Sequence, residues 1–206
     1  MMNKNPPFPR AKRASRTLAA RASAMIGVIL GLAAVPIQPA AAAEPQVTEG
    51  FINAATPEVW RLFTTAEGYQ LTGVAHAEVD LKVGGSIRTH YDPKGRLGDA
   101  GTIVQEILAY EPERMLAIRI RQAPAGFPYK DAVDGTWTVI YMNPAGDNMT
   151  QVRIVGLGYT DSTQSQAMRE YFAAGNRVTL DHIAKRYWPK CAKCVADEAA
   201  AASSPK

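Results

Sequence analysis

The sequence predicts an α+β domain in which a run of antiparallel strands is covered on one side by a long C-terminal helix. Two patterns predict it. Leu116, Ile118 and Ile120 alternate with Ala117, Arg119 and Arg121, and Val152 and Ile154 alternate with Gln151 and Arg153. Each such strand has one dry face and one wet face, as in an antiparallel sheet covered on a single side. Between Ser162 and Trp188, Met168, Phe172, Leu180, Ile183 and Tyr187 fall on one broad helical face, opposite Glu170, Arg177 and Asp181. That segment is the one long helix left to cover the dry side.

The elements follow in order. Val47 to Asn53 reads as a first strand, stopped by Ala54-Ala55-Thr56-Pro57. Thr56 is placed as N-cap of a short helix with Pro57 in its first turn, and Val59, Trp60 and Phe63 give that helix a buried face. Ala77 to Val83, a tight turn at Gly84-Gly85, and Ser86 to Tyr91 read as a hairpin. Further strands are expected over Thr102 to Tyr110, Met115 to Arg121, Thr136 to Met142 and Met149 to Tyr159. Asp92-Pro93-Lys94-Gly95 and Asn143 to Asn148 read as turn-rich connections, because Asn, Asp, Pro and Gly suit tight or left-handed backbone.

Ahead of this domain, Lys4, Arg10, Lys12, Arg13, Arg16 and Arg21 supply every charge before Glu44. An apolar run from Ala24 to Val35 follows, then Pro36, Pro39 and the tract Ala40-Ala41-Ala42-Ala43. Basic segment, short apolar segment and small-residue site stand in the order of a cleavable secretory signal. The run is shorter than the ~20 residues a membrane-spanning helix needs. The expected organisation is a signal peptide over 1–43, a domain over 44–190 and a tail over 191–206. No adjacent arginine pair precedes the apolar run, which favours the general secretory route over the twin-arginine route. The expected location is outside the cytoplasm, periplasmic or secreted.

Six of the 23 basic residues lie in the signal, which leaves 17 against 19 acids and a net charge of −2. About 160 residues remain, enough for one domain with a full core. No basic stripe is left to suit nucleic acid. Arg119/Arg121 and Lys185/Arg186 read as solvated faces of a strand and a helix. No other run suits a bilayer span.

The order of elements, with Asn53-Ala54-Ala55-Thr56-Pro57-Glu58-Val59-Trp60, Val83-Gly84-Gly85, Tyr110-Glu111-Pro112-Glu113-Arg114-Met115-Leu116, Met149-Thr150-Gln151-Val152 and Gly175-Asn176, resembles the START-like, or helix-grip, superfamily of SRPBCC proteins. Within it the chain is most similar to the bacterial branch named after homologues of the activator of the heat-shock-protein ATPase. The resemblance spans Val47 to Trp188. It implies a curved antiparallel sheet gripping the long C-terminal helix, with a cavity between them that receives an apolar or amphipathic small molecule. Tyr91, Trp137, Tyr141 and Phe172 are the candidate wall, Asn176 and His182 border it from the helix, and Phe127, Pro128 and Tyr129 are a candidate mouth or lid.

Chemistry beyond binding has little support in the residues. His76, His90 and His182 form no His-x-x-x-His pair and have no cysteine near them in sequence, so neither a metal nor another cofactor is expected. His90 shares strand parity with Arg88, which places both toward water. His182, a lone histidine beside Ile183, reads as a structural group, and no residue is assigned a catalytic role. No nucleophile elbow or phosphate-binding glycine loop is present. Cys191-Ala192-Lys193-Cys194 follows Pro189 rather than opening a helix after a strand, so a local disulfide is expected in an oxidising compartment. Three classes of function stay open: a non-catalytic binding protein for a hydrophobic small molecule, a cyclase- or aromatase-like enzyme, and a protein-interaction module or chaperone-ATPase activator. Export points away from the last, whose client is cytoplasmic.

Overall fold

The computed structural model describes residues 43–188. Residues 1–42, which hold nearly all of the expected signal segment, and the Cys191 and Cys194 pair with its expected disulfide lie outside the described residues. The chain runs β1 (Gln46–Ile52), α1 (Thr56–Thr64), α2 (Ala66–Leu71), β2 (His76–Val79), β3 (Ser86–His90), β4 (Ile103–Glu111), β5 (Met115–Gln122), α3 (Lys130–Val133), β6 (Trp137–Gly146), β7 (Met149–Leu157) and α4 (Thr163–Tyr187). The strands form one antiparallel sheet in the order β1-β7-β6-β5-β4-β3-β2. The α+β architecture, an antiparallel sheet under a long C-terminal helix, is the expected one.

Register assigns every residue to a face. Ile118 lies opposite Thr138, Leu116 opposite Ile140, and Ile140 opposite Ile154, so these side chains share the inner face. On the outer face the directly opposed pairs Glu49 and Arg153, Glu78 and Arg88, and Glu106 and Arg119 are also ion pairs, at 2.8, 2.9 and 2.9 Å. Exposed pairs of this kind contribute only about 0.2–1 kcal/mol each, and their main effect is to favour this register over its neighbours.

Several boundaries differ from the sequence expectation. Ala55, not Thr56, is the N-cap of α1, and it makes no side-chain cap. The Thr56 hydroxyl is instead 3.2 Å from that of Thr150, which is fully buried and donates to the Ala54 carbonyl at 2.9 Å. A cross-fold tie thus replaces a local cap. Helices α2 and α3 were not expected; α2 is capped by Thr65, whose hydroxyl accepts from Gly68 N–H at 3.0 Å. Strand β2 ends at Val79, and β6 runs on through Gly146 across the stretch expected to be a connection. Pro144 is tolerated there because β5 begins only at Met115, opposite Tyr141, so the side that lacks an N–H has no partner strand.

Helix α4 starts where Ser162 accepts from Ser165 N–H at 3.2 Å. It packs chiefly on β1, where Gly50 lies under Leu180. Met168, Leu180 and Ile183 are buried, and Phe172 and Tyr187 are half-buried. The core falls into two clusters. The larger joins α1, the inner face of the sheet, Leu180 and Ile183, and the smaller gathers Val133, Tyr159 and Met168 with Phe127 and Phe172 beside them.

This seating predicts an asymmetry along the helix. Leu180→Ala should cost about 2–5 kcal/mol, the range for truncating a buried leucine. Val178→Ala, two residues away at 69% exposure, should cost about 0.5 kcal/mol or less. Urea unfolding of the two variants measures both, and the reverse order would mean that the helix is rotated.

Candidate functional site

Between the two core clusters lies a cavity of about 740 Å³. Phe63 from α1, Ile118 from β5, Ile140 from β6 and Ile154 from β7 make a buried apolar floor. Tyr69, Thr72, Gly73 and Val74, in and after α2, close one side. From α4 come Tyr171, Phe172, Gly175, Asn176, Val178, Thr179 and His182, a stripe next to the one that seats the helix. The rim is open to solvent, with Tyr91 at 62%, Tyr171 at 51% and Val178 at 69% exposure.

One flank of the rim is built from aromatic rings. Phe127 stands 5.7 Å from Tyr129, 5.9 Å from Tyr171 and 6.0 Å from Phe172, and Tyr171 is 5.7 Å from Tyr129 and 5.5 Å from Phe172. Edge-to-face and tilted pairs of this kind add roughly 0.5–1.5 kcal/mol each beyond their buried area. They fasten the β5–α3 connection to α4.

Of the residues singled out in the sequence, Tyr91, Phe127, Trp137, Phe172, Asn176 and His182 line this cavity. Tyr141 does not. Its neighbours Ile140 and Met142 point inward, and Tyr141 lies with Val139 on the other face, opposite Met115 and Arg153. Tyr69 and Tyr159 line the cavity and were missed. Tyr69 sits on a helix with too few residues to show periodicity, and Tyr159 follows the left-handed Gly158 that ends β7.

Three of the cavity's phenols have raised pKa values. Burial, then the neighbouring Tyr91, pushes the Tyr69 phenol well above its ordinary value. Loss of water on the side that faces the cavity raises Tyr91, with Tyr171 adding to it, and burial raises Tyr159, with Arg169 opposing it. All three therefore stay protonated at neutral pH. Asn176 donates to the buried Gln46 side chain at 3.3 Å. Arg119 borders the cavity, but its guanidinium is held by Glu106 at 2.9 Å. Among the described residues no group of three or more His, Cys, Asp or Glu is placed to hold a metal ion.

His90 corrects the sequence reading. It shares the outer parity of Arg88 as expected, yet it is buried, because residues 92–101 fold over it. Asp92 N–H donates to its Nδ1 at 3.1 Å, so Nε2 carries the proton and donates to Asp99 Oδ1 at 2.9 Å. Gly95 and Gly101 press on the ring so closely that a Cβ at either would collide with it. The same loop reaches the rim, where Ala125 N–H donates to the Ala100 carbonyl at 2.6 Å, two residues before Phe127.

A sheet gripping a long helix, with an internal cavity between them, defines a START-like, helix-grip domain of the SRPBCC superfamily. More particularly, the chain belongs to the family described as polyketide cyclase / dehydrase and lipid transport, whose model matches residues 45–187. Solved structures share the fold. A protein from Nitrosospira multiformis superposes with a TM-score of 0.55 at 14% identity, covering 71% of this chain and 97% of that one. The Aha1 dimer from Colwellia psychrerythraea gives 0.54 at 14% identity, covering 70% and 96%. An HSP90 activator from Plasmodium falciparum gives 0.51 at 16% identity, covering 68% and 92%. A comparison with curated proteins finds no match.

The loop over His90 makes two predictions. Gly101→Ala should destabilise the domain by about 1–3 kcal/mol, the usual cost of overpacking. The Asp99 carboxyl is held below the ordinary 3.8, first by the N–H groups of Arg96 and Gly101 and then by His90. Its stabilising contribution is thus present above 3.8 and lost as pH falls through the lower folded value. Melting temperatures of wild type and Asp99→Asn should differ most at neutral pH and converge as pH drops below 3.8. A gap that widened in acid would contradict this.

Proposed function

We propose that this chain is an exported binding protein that holds a hydrophobic or amphipathic small molecule in the cavity without changing it covalently. The observation that carries the reading is the cavity of about 740 Å³ with its floor of Phe63, Ile118, Ile140 and Ile154. A volume in the range of roughly 300–1,000 Å³, mostly apolar with a few polar groups, is the ordinary form of a small-molecule site. The lipid-transport part of the family description supports it. Tyr91, Phe127, Trp137, Phe172, Asn176 and His182 are the residues proposed to touch the ligand.

The cyclase and dehydrase part of the description keeps an enzyme as the second reading. General acid–base chemistry needs a positioned titratable group, usually with a partner to orient it. Among the described residues the lining supplies one imidazole, His182, on the exposed helix face, and no carboxylate. That composition supports binding over turnover. Export rests on the N-terminal sequence. Cleavage after Ala43 would leave β1 intact, since it begins at Gln46.

Nile red, an uncharged apolar fluorophore, should bind the folded domain saturably. Phe172→Asp should weaken it about ten-fold or more, because an unpaired charge in an apolar pocket costs several kcal/mol. Circular dichroism on the variant separates lost binding from lost fold. Absence of uptake by well-folded wild type would sink the reading. For export, protein recovered from the envelope of its host should begin at Glu44 or within a few residues of it, and an intact Met1 in that fraction would refute it.

A further inference from the structure

Resting on that reading, we infer that the cavity selects an uncharged molecule with a neutral polar group at each of two ends and an apolar body between them. The sheet order carries the argument. On β3, just past its end and on β4 the lining offers Thr89, Tyr91 and Gln105, and on β6, just past β7 and on α4 it offers Thr138, Tyr159 and Asn176. Between these two sets, β5 presents Ile118 and Ile120. Phe172 of α4 and Phe127 of the rim line the same cavity.

From β3 to β6 is three strand spacings in this sheet, or roughly 14 Å. That is the span the two polar ends must match. Each set offers amide or hydroxyl groups that both donate and accept, which suits hydroxyl or carbonyl oxygens. Neither set holds a charge. Arg119, the one arginine that borders the cavity, sends its guanidinium to Glu106 on the outer face of the sheet, and His182 stands on the exposed helix face. A carboxylate or phosphate taken into this space would lose water and gain no counter-ion, whereas an alcohol or ketone would keep its hydrogen bonds.

The test uses three ten-carbon competitors against bound Nile red at pH 8: the α,ω-diol, the primary alcohol and the α,ω-dicarboxylate. The diol should displace the probe at a concentration within ten-fold of the alcohol, although its second hydroxyl makes it far more water-loving. The dicarboxylate should need at least ten-fold more than the diol. In the isosteric double variant Thr89→Val, Thr138→Val, the diol should lose affinity about ten-fold relative to the alcohol, because two hydrogen-bonding partners are gone. A dicarboxylate that competes as well as the diol overturns the charge selection. A diol more than ten-fold weaker than the alcohol, or unaffected by the double variant, overturns the two-ended arrangement. Probe binding in the absence of competitor reports on the cavity itself, so failure there is a failure of the binding reading and is seen separately.

Discussion

The seating of α4 on the edge strand β1 is the contact on which the rest of the architecture depends. Leu180 rests on Gly50, where the missing side chain lets helix and strand approach, and an added Cβ would lie 3.3 Å from Leu180 Cδ1. Met168 fixes the other end of the helix in a second apolar cluster with Val133 and Tyr159. The 25-residue helix held at these places leaves the space over β4, β5 and β6 unfilled. The cavity is what remains between two packed clusters, and each cluster lends it walls: Phe63 and Ile140 from one, Phe127 and Phe172 from the other.

Polar interactions divide their work by burial. Outside, register-matched pairs such as Glu49 with Arg153 and Glu106 with Arg119 sit in water and contribute alignment more than stability. Inside, buried hydrogen bonds hold specific strands and turns to one another. Thr150 ties β7 to the start of α1, Gln46 ties β1 to Asn176 of α4, and His90 ties the long β3–β4 loop down through Asp99 and Asp92. Breaking one of these leaves a desolvated group without a partner, a larger loss than an exposed ion pair.

Local periodicity made most of the fold legible. The alternation in β5 and β7 and the Met168, Leu180 and Ile183 stripe are visible within short windows of sequence, and the strands, α1 and α4 lie within a few residues of their expected places. What escaped depends on contacts distant in the chain. Nothing near His90 announces that residues 92–101 will fold back over it, so strand parity correctly gave its face and wrongly gave its exposure. Tyr141 shares the parity of Trp137, yet only Trp137, at the start of β6, reaches the cavity. Thr56 had a cap's sequence position but a partner 94 residues away in Thr150.

The stripe on α4 formed by Tyr171, Ala174, Gly175 and Val178 borders the cavity while remaining open to water. It is largely apolar, and beyond the packing of Phe127 and Tyr129 on Tyr171 it stays exposed among the described residues. A molecule held beneath it would shield part of this surface, and its departure would return that surface to solvent. On the proposed reading, a filled cavity would leave less apolar surface in water than an empty one, and any tendency to self-associate at high concentration would fall as the cavity fills.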